Sequence, residues 1–164
     1  MPGKIHQHLA GDHQRLDDLL KRAMSGQTID PAAYHQFRAG LLKHIGMEEK
    51  ILLPAAQRLG GGKPLAVAAK LRLDHGALAA LLVPPPTVPV ISAIRAILEL
   101  HNPIEEDPGG MYEQCEELAG AELDKILRQL QEAPDVKVAP NVDSPNVLEM
   151  TRRALAKAGY DLKL

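Results

Sequence analysis

The chain carries the same helix pair twice, and each copy places histidine and glutamate where a helix normally buries leucine. Asp12-His13-Gln14-Arg15-Leu16-Asp17-Asp18-Leu19-Leu20 in the first half compares with Asp74-His75-Gly76-Ala77-Leu78-Ala79-Ala80-Leu81-Leu82 in the second. His44-Ile45-Gly46-Met47-Glu48-Glu49 compares with His101-Asn102-Pro103-Ile104-Glu105-Glu106. Each copy therefore holds a lone His on its first helix and His-x-x-x-Glu on its second. A repeat of this kind restricts the fold to two stacked copies of one unit.

Four segments show helical periodicity, and breakers separate them. The first runs from about Lys4 to Met24 with the stripe Ile5, Leu9, His13, Leu16, Leu20, Ala23, and Ser25-Gly26 ends it. The second opens at Asp30-Pro31, an N-cap followed by proline at the first helical position. Its stripe is Phe37, Leu41, His44, Glu48, Ile51, Ala55; Pro54 is expected to bend it and Gly60-Gly61-Gly62 to stop it. The third is expected from near Pro64 to Pro84, with Ala68, Leu71, His75, Leu78 and Leu82 on its stripe. After the stiff run Pro84 to Pro89, the fourth begins near Val90 or Ser92 and carries Ile91, Ile94, Leu98, His101 and Glu105. Asp107-Pro108-Gly109-Gly110 interrupts it, and helical pattern resumes from Met111 to about Ala133. Residues 134–143 read as a linker, and Ser144-Pro145 as the start of a short fifth helix ending near Gly159. Residues 1–133 thus form the main unit, with 134–164 a linker and short C-terminal helix packed on it.

Aromatic residues are limited to Tyr34, Tyr112, Tyr160 and Phe37, so the core must be built from Leu, Ile, Val and Ala. Those residues at helical spacing favour an all-α fold. A length of 164 residues suits one domain with a sizeable core. The net charge of -2 gives no sign of a nucleic-acid surface. No apolar run is long enough to span a bilayer, and the N-terminus lacks the apolar stretch of a signal peptide, so a cytoplasmic protein without membrane partners is expected. The single cysteine, Cys115, excludes a disulfide framework and a thiolate metal site.

Six polar residues lie on the apolar stripes: His13, His44, Glu48, His75, His101 and Glu105. The i, i+4 spacing within each His-x-x-x-Glu puts both side chains on one helix face, one turn apart. Burying two carboxylates without compensation costs several kcal/mol per ion even after relaxation. Metal ions compensate them directly, and the cores of packed helices are established places for such sites. Six ligands exceed the needs of one tetrahedral zinc. Two carboxylates that each bridge two ions leave two His for each ion and coordination positions open. Such mixed ligands fit iron, and also manganese or zinc.

The set His13, His44-x-x-x-Glu48, His75 and His101-x-x-x-Glu105 resembles the hemerythrin-like HHE cation-binding domain. The flanking Asp12-His13, Glu48-Glu49 before Leu52-Leu53-Pro54, and Glu105-Glu106 before Met111-Tyr112 agree with it. The resemblance covers about Ile5 to Leu130. It implies an antiparallel up-down-up-down four-helix bundle with two non-haem iron ions bridged by two carboxylates. It also implies a role in binding or sensing oxygen or another small diatomic ligand such as nitric oxide, or in handling iron. Two departures stand out. Oxygen-carrying hemerythrins have a fifth His one turn from the third-helix His, where this chain has Leu71 and Ala79. The fourth helix also has an insertion at Asp107-Pro108-Gly109, with Glu113 where the family often has proline. An open ligand position invites the alternative of a di-iron enzyme acting on peroxide or nitric oxide, or donating iron to damaged iron–sulfur clusters. No catalytic residue apart from the metal ligands is apparent.

Other residues are expected in lesser roles. Asp17 follows His13 at ligand spacing but reads as a surface acid, His6 as a partly exposed helix-end residue, and His8 and His35 as surface residues. Glu49 and Glu106 are expected on a solvated face, with a bond to a His N–H as the alternative. Asp12 and Asp74 are not expected to orient their neighbouring His, because adjacent helical residues point about 100° apart. Tyr112 is placed over the site as a donor, Cys115 in the core, and Pro103 at a kink between two ligands.

Overall fold

A computed structural model describes residues 1–164 and is all-helical, with no strands. Helix α1 spans Lys4–Ala23. Its first N–H groups are capped from afar: the Glu116 carboxylate accepts from the amides of Ile5 at 2.6 Å and His6 at 3.2 Å. Helix α2, Pro31–Met47, starts at Asp30, whose carboxylate accepts from the Ala32 and Ala33 amides. Ahead of Pro54, where a bend is expected, the helix passes through a π-helical turn, Glu48–Leu52, before α3, Leu53–Leu59. Pro54 offers no N–H to the ladder, and the turn just before it widens instead.

Helix α4 is Ala68–Leu81 and starts later than Pro64, because the chain first makes a tight turn in which the Ala68 amide donates to Leu65 O. Helix α5, Val88–Glu106, starts two residues earlier than the Val90 the sequence pointed to. The Thr87 hydroxyl caps the Val90 amide, and Pro89 fits the N–H-free first turn. It runs on through Pro103 to Glu106. The segment after the break is two helices rather than one: α6, Met111–Ala119, and α7, Leu123–Gln131, hinged at Gly120 with φ of 50°. Helix α8, Pro145–Lys157, is capped by Ser144.

Helix α1 packs on α2, α4 on α5, α6 on α3 and α5, and α8 on α4. The core falls into two apolar layers. One holds Leu16, Leu20, Phe37, Leu41, Leu78, Ile94 and Ile97; the other holds Ile5, Leu9, Met47, Leu52, Leu71 and Tyr112. Each long helix crosses from one layer to the other at its His: Leu9 to Leu16 around His13, Leu41 to Met47 around His44, Leu71 to Leu78 around His75. On α5 the passage runs from Ile97 to Ile104 around His101. The polar residues thus form a thin slab between two hydrocarbon layers.

The C-terminal segment is integrated with this core. Leu155 and Ala158 are buried in the first layer. The buried Arg38 donates to Leu82 O and Ala139 O, and the Asn141 amide donates to the carbonyls of Leu82, Val83 and Pro84. No helix is long and apolar enough to cross a membrane.

Candidate metal centre

All six residues picked from the stripes are buried and brought together. Glu48 and Glu105 have no exposure, and His13 at 8% is the most open. Their donor atoms form two groups of four: His13, His44, Glu48, Glu105 and His75, His101, Glu48, Glu105. Within each group the atoms lie within 4.8 Å of one another. Ligands bound at about 2.1 Å to one ion stand up to about 4.2 Å apart, so each group needs to draw in by only a few tenths of an ångström to hold a single ion. Both carboxylates belong to both groups. The imidazoles come in two pairs, with ring centroids 4.3 Å apart for His13 and His44 and 4.9 Å for His75 and His101.

Every ring turns Nε2 inward. His44 Nε2 lies 3.2 Å from Glu48 Oε1, His75 Nε2 3.0 Å from Glu48 Oε2, and His101 Nε2 2.8 Å from Glu105 Oε1. His13 Nε2 lies 3.3 Å from Glu105 Oε2. Every Nδ1 faces a second carboxylate. Asp12 accepts from His44 at 2.8 Å, Glu49 from His75 at 2.7 Å, Asp74 from His101 at 3.0 Å, and Glu106 from His13. A carboxylate on Nδ1–H fixes the tautomer and leaves the Nε2 lone pair free to face a metal.

Two of these four acids correct the expectation for them. Glu49 and Glu106 do not lie on a purely solvated face; Asp12 and Asp74 leave their neighbouring His alone, as expected, but each bonds a more distant imidazole. Each acid follows or precedes one ligand in sequence but serves a ligand on a different helix. The 100° turn that keeps Asp12 away from His13 is what aims it at His44 on α2.

Tyr112, fully buried at the start of α6, donates to Glu48 Oε1 at 2.7 Å and approaches Glu105 Oε2 at 3.0 Å. Its hydroxyl is also 3.3 Å from Nε2 of both His13 and His44. The turn at Asp107–Gly110, with Gly109 at φ 79°, ends α5 one residue past Glu105 and lets α6 lay this ring back over the site. Beside that insertion Glu105 keeps its contacts with Tyr112 and His101. Leu71 is fully buried in the apolar layer beside His75 and offers no donor there.

Asp17 is exposed and pairs with Lys21 at 2.6 Å. His6 donates to Glu106 O at 2.9 Å and sets its ring edge against Tyr112, outside the donor set. His35 is exposed, whereas His8 is partly buried. Cys115 is buried, and that burial pushes its thiol up to about 12.

The electrostatics are those of a compensated cluster. Burial opposes charging of His44, but attraction to Glu48 and the Asp12 bond outweigh it and raise the imidazole to about 10. His75 is raised against burial to about 10 by bonds to Glu105 and Glu48, and His101 to about 9 by Asp74 and Glu105. Burial and the neighbouring carboxylate resist ionisation of Glu48, yet the imidazoles hold it below its usual value, and Glu105 further below. Glu48 Oε2, His75 Nε2 and Glu105 Oε1 are buried and face one another at 3.0 and 3.6 Å as charges, without hydrogen-bond geometry. Buried polar atoms that lack hydrogen-bond geometry are costly to leave so, and once the imidazoles give up their protons a cation satisfies all of them at once. The donor set therefore fits a metal ion in each group.

Compared with models of known families, with curated proteins and with solved structures, the chain finds no match in any of the three.

Proposed function

We propose that the chain is a hemerythrin-like, antiparallel up-down-up-down four-helix bundle that carries two non-haem iron ions bridged by Glu48 and Glu105. In this reading α1, the continuous α2 and α3, α4 and α5 are the four bundle helices. The alternating order in which they cross the two apolar layers supports it. His13 and His44 hold one ion, His75 and His101 the other. The single observation that carries the reading is the sharing of both carboxylates by two four-donor groups. Borderline imidazole and hard carboxylate donors suit iron, and accept manganese or zinc.

Two iron ions there would supply one-electron redox chemistry and open coordination positions for a small ligand. The function that follows is binding or sensing of oxygen or another diatomic such as nitric oxide, or the handling of iron. A cavity of about 480 Å³ is lined by His13 together with Leu16, Leu20, Leu41 and Leu98, and in this reading it is where such a ligand would approach. Metal analysis of protein purified from iron-supplied cells, with optical spectra of the air-exposed and reduced forms, tests this. Close to two irons per chain and the near-ultraviolet absorption of a ferric pair are expected. Less than half an equivalent of any transition metal after anaerobic purification would overturn it.

Tyr112 favours a second reading. A buried phenol bonded to a shared carboxylate can deliver a proton at the centre, which suits an enzyme acting on peroxide or nitric oxide. Turnover under reducing conditions at a rate no higher than free iron sets this reading aside.

A further inference from the structure

The two halves of the centre are not backed alike. Asp12, which holds His44, has a side chain 16% exposed, and its only other partner is the exposed Arg15 at 2.9 Å. Asp74, which holds His101, has no exposure. Its Oδ2 accepts from His101, while its Oδ1 accepts from Lys70 Nζ at 2.7 Å and from the Tyr160 hydroxyl at 2.8 Å. Lys70 is itself clamped to the C-terminal segment. It donates to Ala158 O at 3.1 Å and to the Tyr160 hydroxyl at 3.3 Å, and lies 4.5 Å from the centre of the Tyr160 ring. Leu155 and Ala158 anchor that segment in the core.

We infer that the C-terminal segment is the outer wall of one half of the metal centre, with Tyr160 and Lys70 as positioning residues that lock Asp74 against His101. The inference rests on the two-metal reading above and deepens it. A carboxylate with one donor on each side can rotate about its χ2 axis. A buried one with two donors on one oxygen and the imidazole on the other is held more firmly, so the imidazole it holds is fixed in tilt as well as tautomer. The repeat supplies Asp12 and Asp74 as equivalents. The segment after residue 134 breaks that equivalence, because its Tyr160 bonds Asp74 while none of its residues bonds Asp12. The ion on His75 and His101 is thereby the more tightly framed of the two, and anything that lifts the tail off α4 acts on that ion first.

The experiment compares the wild type with Tyr160→Phe, which removes one hydroxyl and keeps the ring. Lys70→Met and Arg15→Gln serve as companions. In the metal-free chain the Nδ1–H resonance of His101 reports its bond to Asp74. Tyr160→Phe and Lys70→Met are expected to shift or broaden it, and Arg15→Gln to leave it in place. In the cobalt(II)-loaded chain, release to a chelator is expected in two phases. The His101→Ala variant identifies the phase that belongs to its side. Tyr160→Phe should quicken that phase about tenfold and leave the other unchanged. An unmoved His101 resonance together with unchanged release overturns the positioning role. Equal acceleration of both phases also overturns it, because that is general loosening. A wild type that takes up no cobalt while Tyr160→Phe still moves the His101 resonance overturns the metal reading and leaves the contact from Tyr160 through Asp74 to His101 standing.

Discussion

Asp12 sits next to His13 in the chain but serves His44, its Oδ2 2.8 Å from that ring's Nδ1. The same offset recurs around the centre, so one short run of sequence supplies a ligand to the site and a carboxylate to another helix's ligand. Asp12→Asn keeps the shape and leaves an amide that can still accept from Nδ1–H through its oxygen, without charge. Weakening of metal affinity by about 10–100-fold is expected, confined to one of two ions, with little change in the fold. Titration with zinc against a competing chelator measures it. Two unchanged affinities would show that Asp12 contributes nothing to metal binding.

Much of this was legible beforehand, for a physical reason. Candidate ligands on an apolar stripe stand out, because a buried Glu is an expensive exception to helical periodicity. His13, His44, Glu48, His75, His101 and Glu105 were all found that way. Asp12, Glu49, Asp74 and Glu106 lie just off the stripe, where a charged residue is ordinary. Only the packing of a second helix distinguishes them from solvated acids. The repeat held a signal: an acid adjoins a ligand at the corresponding place in both halves. The hinge at Gly120 and the late start of α4 depend on turn geometry that apolar spacing does not encode.

Sharing of the carboxylates gives an asymmetric mutational pattern. His44→Ala and His101→Ala each remove a donor from one group, so metal content should fall from about two ions per chain to about one. Glu48→Ala and Glu105→Ala strip a donor from both groups, so content should fall toward zero. Metal analysis of the purified variants decides this. A glutamate variant that retains both ions would mean that the carboxylates do not bridge.

The Tyr112 hydroxyl is the only neutral donor at the buried carboxylates Glu48 and Glu105. Tyr112→Phe should destabilise the metal-free chain by about 1–3 kcal/mol, the cost of leaving a buried acceptor unsatisfied. In the loaded chain the ions take those oxygens, and the cost should shrink. Urea unfolding of both forms measures the difference. A larger cost in the loaded chain would mean that an ion holds the phenol oxygen itself.

Proton and metal compete for the same nitrogens, and the sign of the pH effect follows. With no metal, fully protonated rings would set four imidazolium ions against six carboxylates: Asp12, Glu48, Glu49, Asp74, Glu105 and Glu106. Two divalent ions with neutral imidazoles leave the same net charge, so loading would displace up to four protons. His44 and His75 are raised to about 10 and His101 to about 9, above the usual value of about 6.5. The stability they contribute to the metal-free chain is complete below that unfolded value and is lost as pH rises through 9 to 10. Glu48 and Glu105 are held low, so their contribution is present above the usual carboxylate range and is lost as pH falls below it. The metal-free chain should therefore be most stable between about pH 4.5 and about pH 6.5. The loaded chain should gain affinity as protons leave. The rise in Tm that zinc produces should be larger at about pH 8.5 than at about pH 6, which calorimetry of loaded and chelated samples reads directly. An equal or smaller rise at the higher pH would mean that the metal does not bind through these imidazoles.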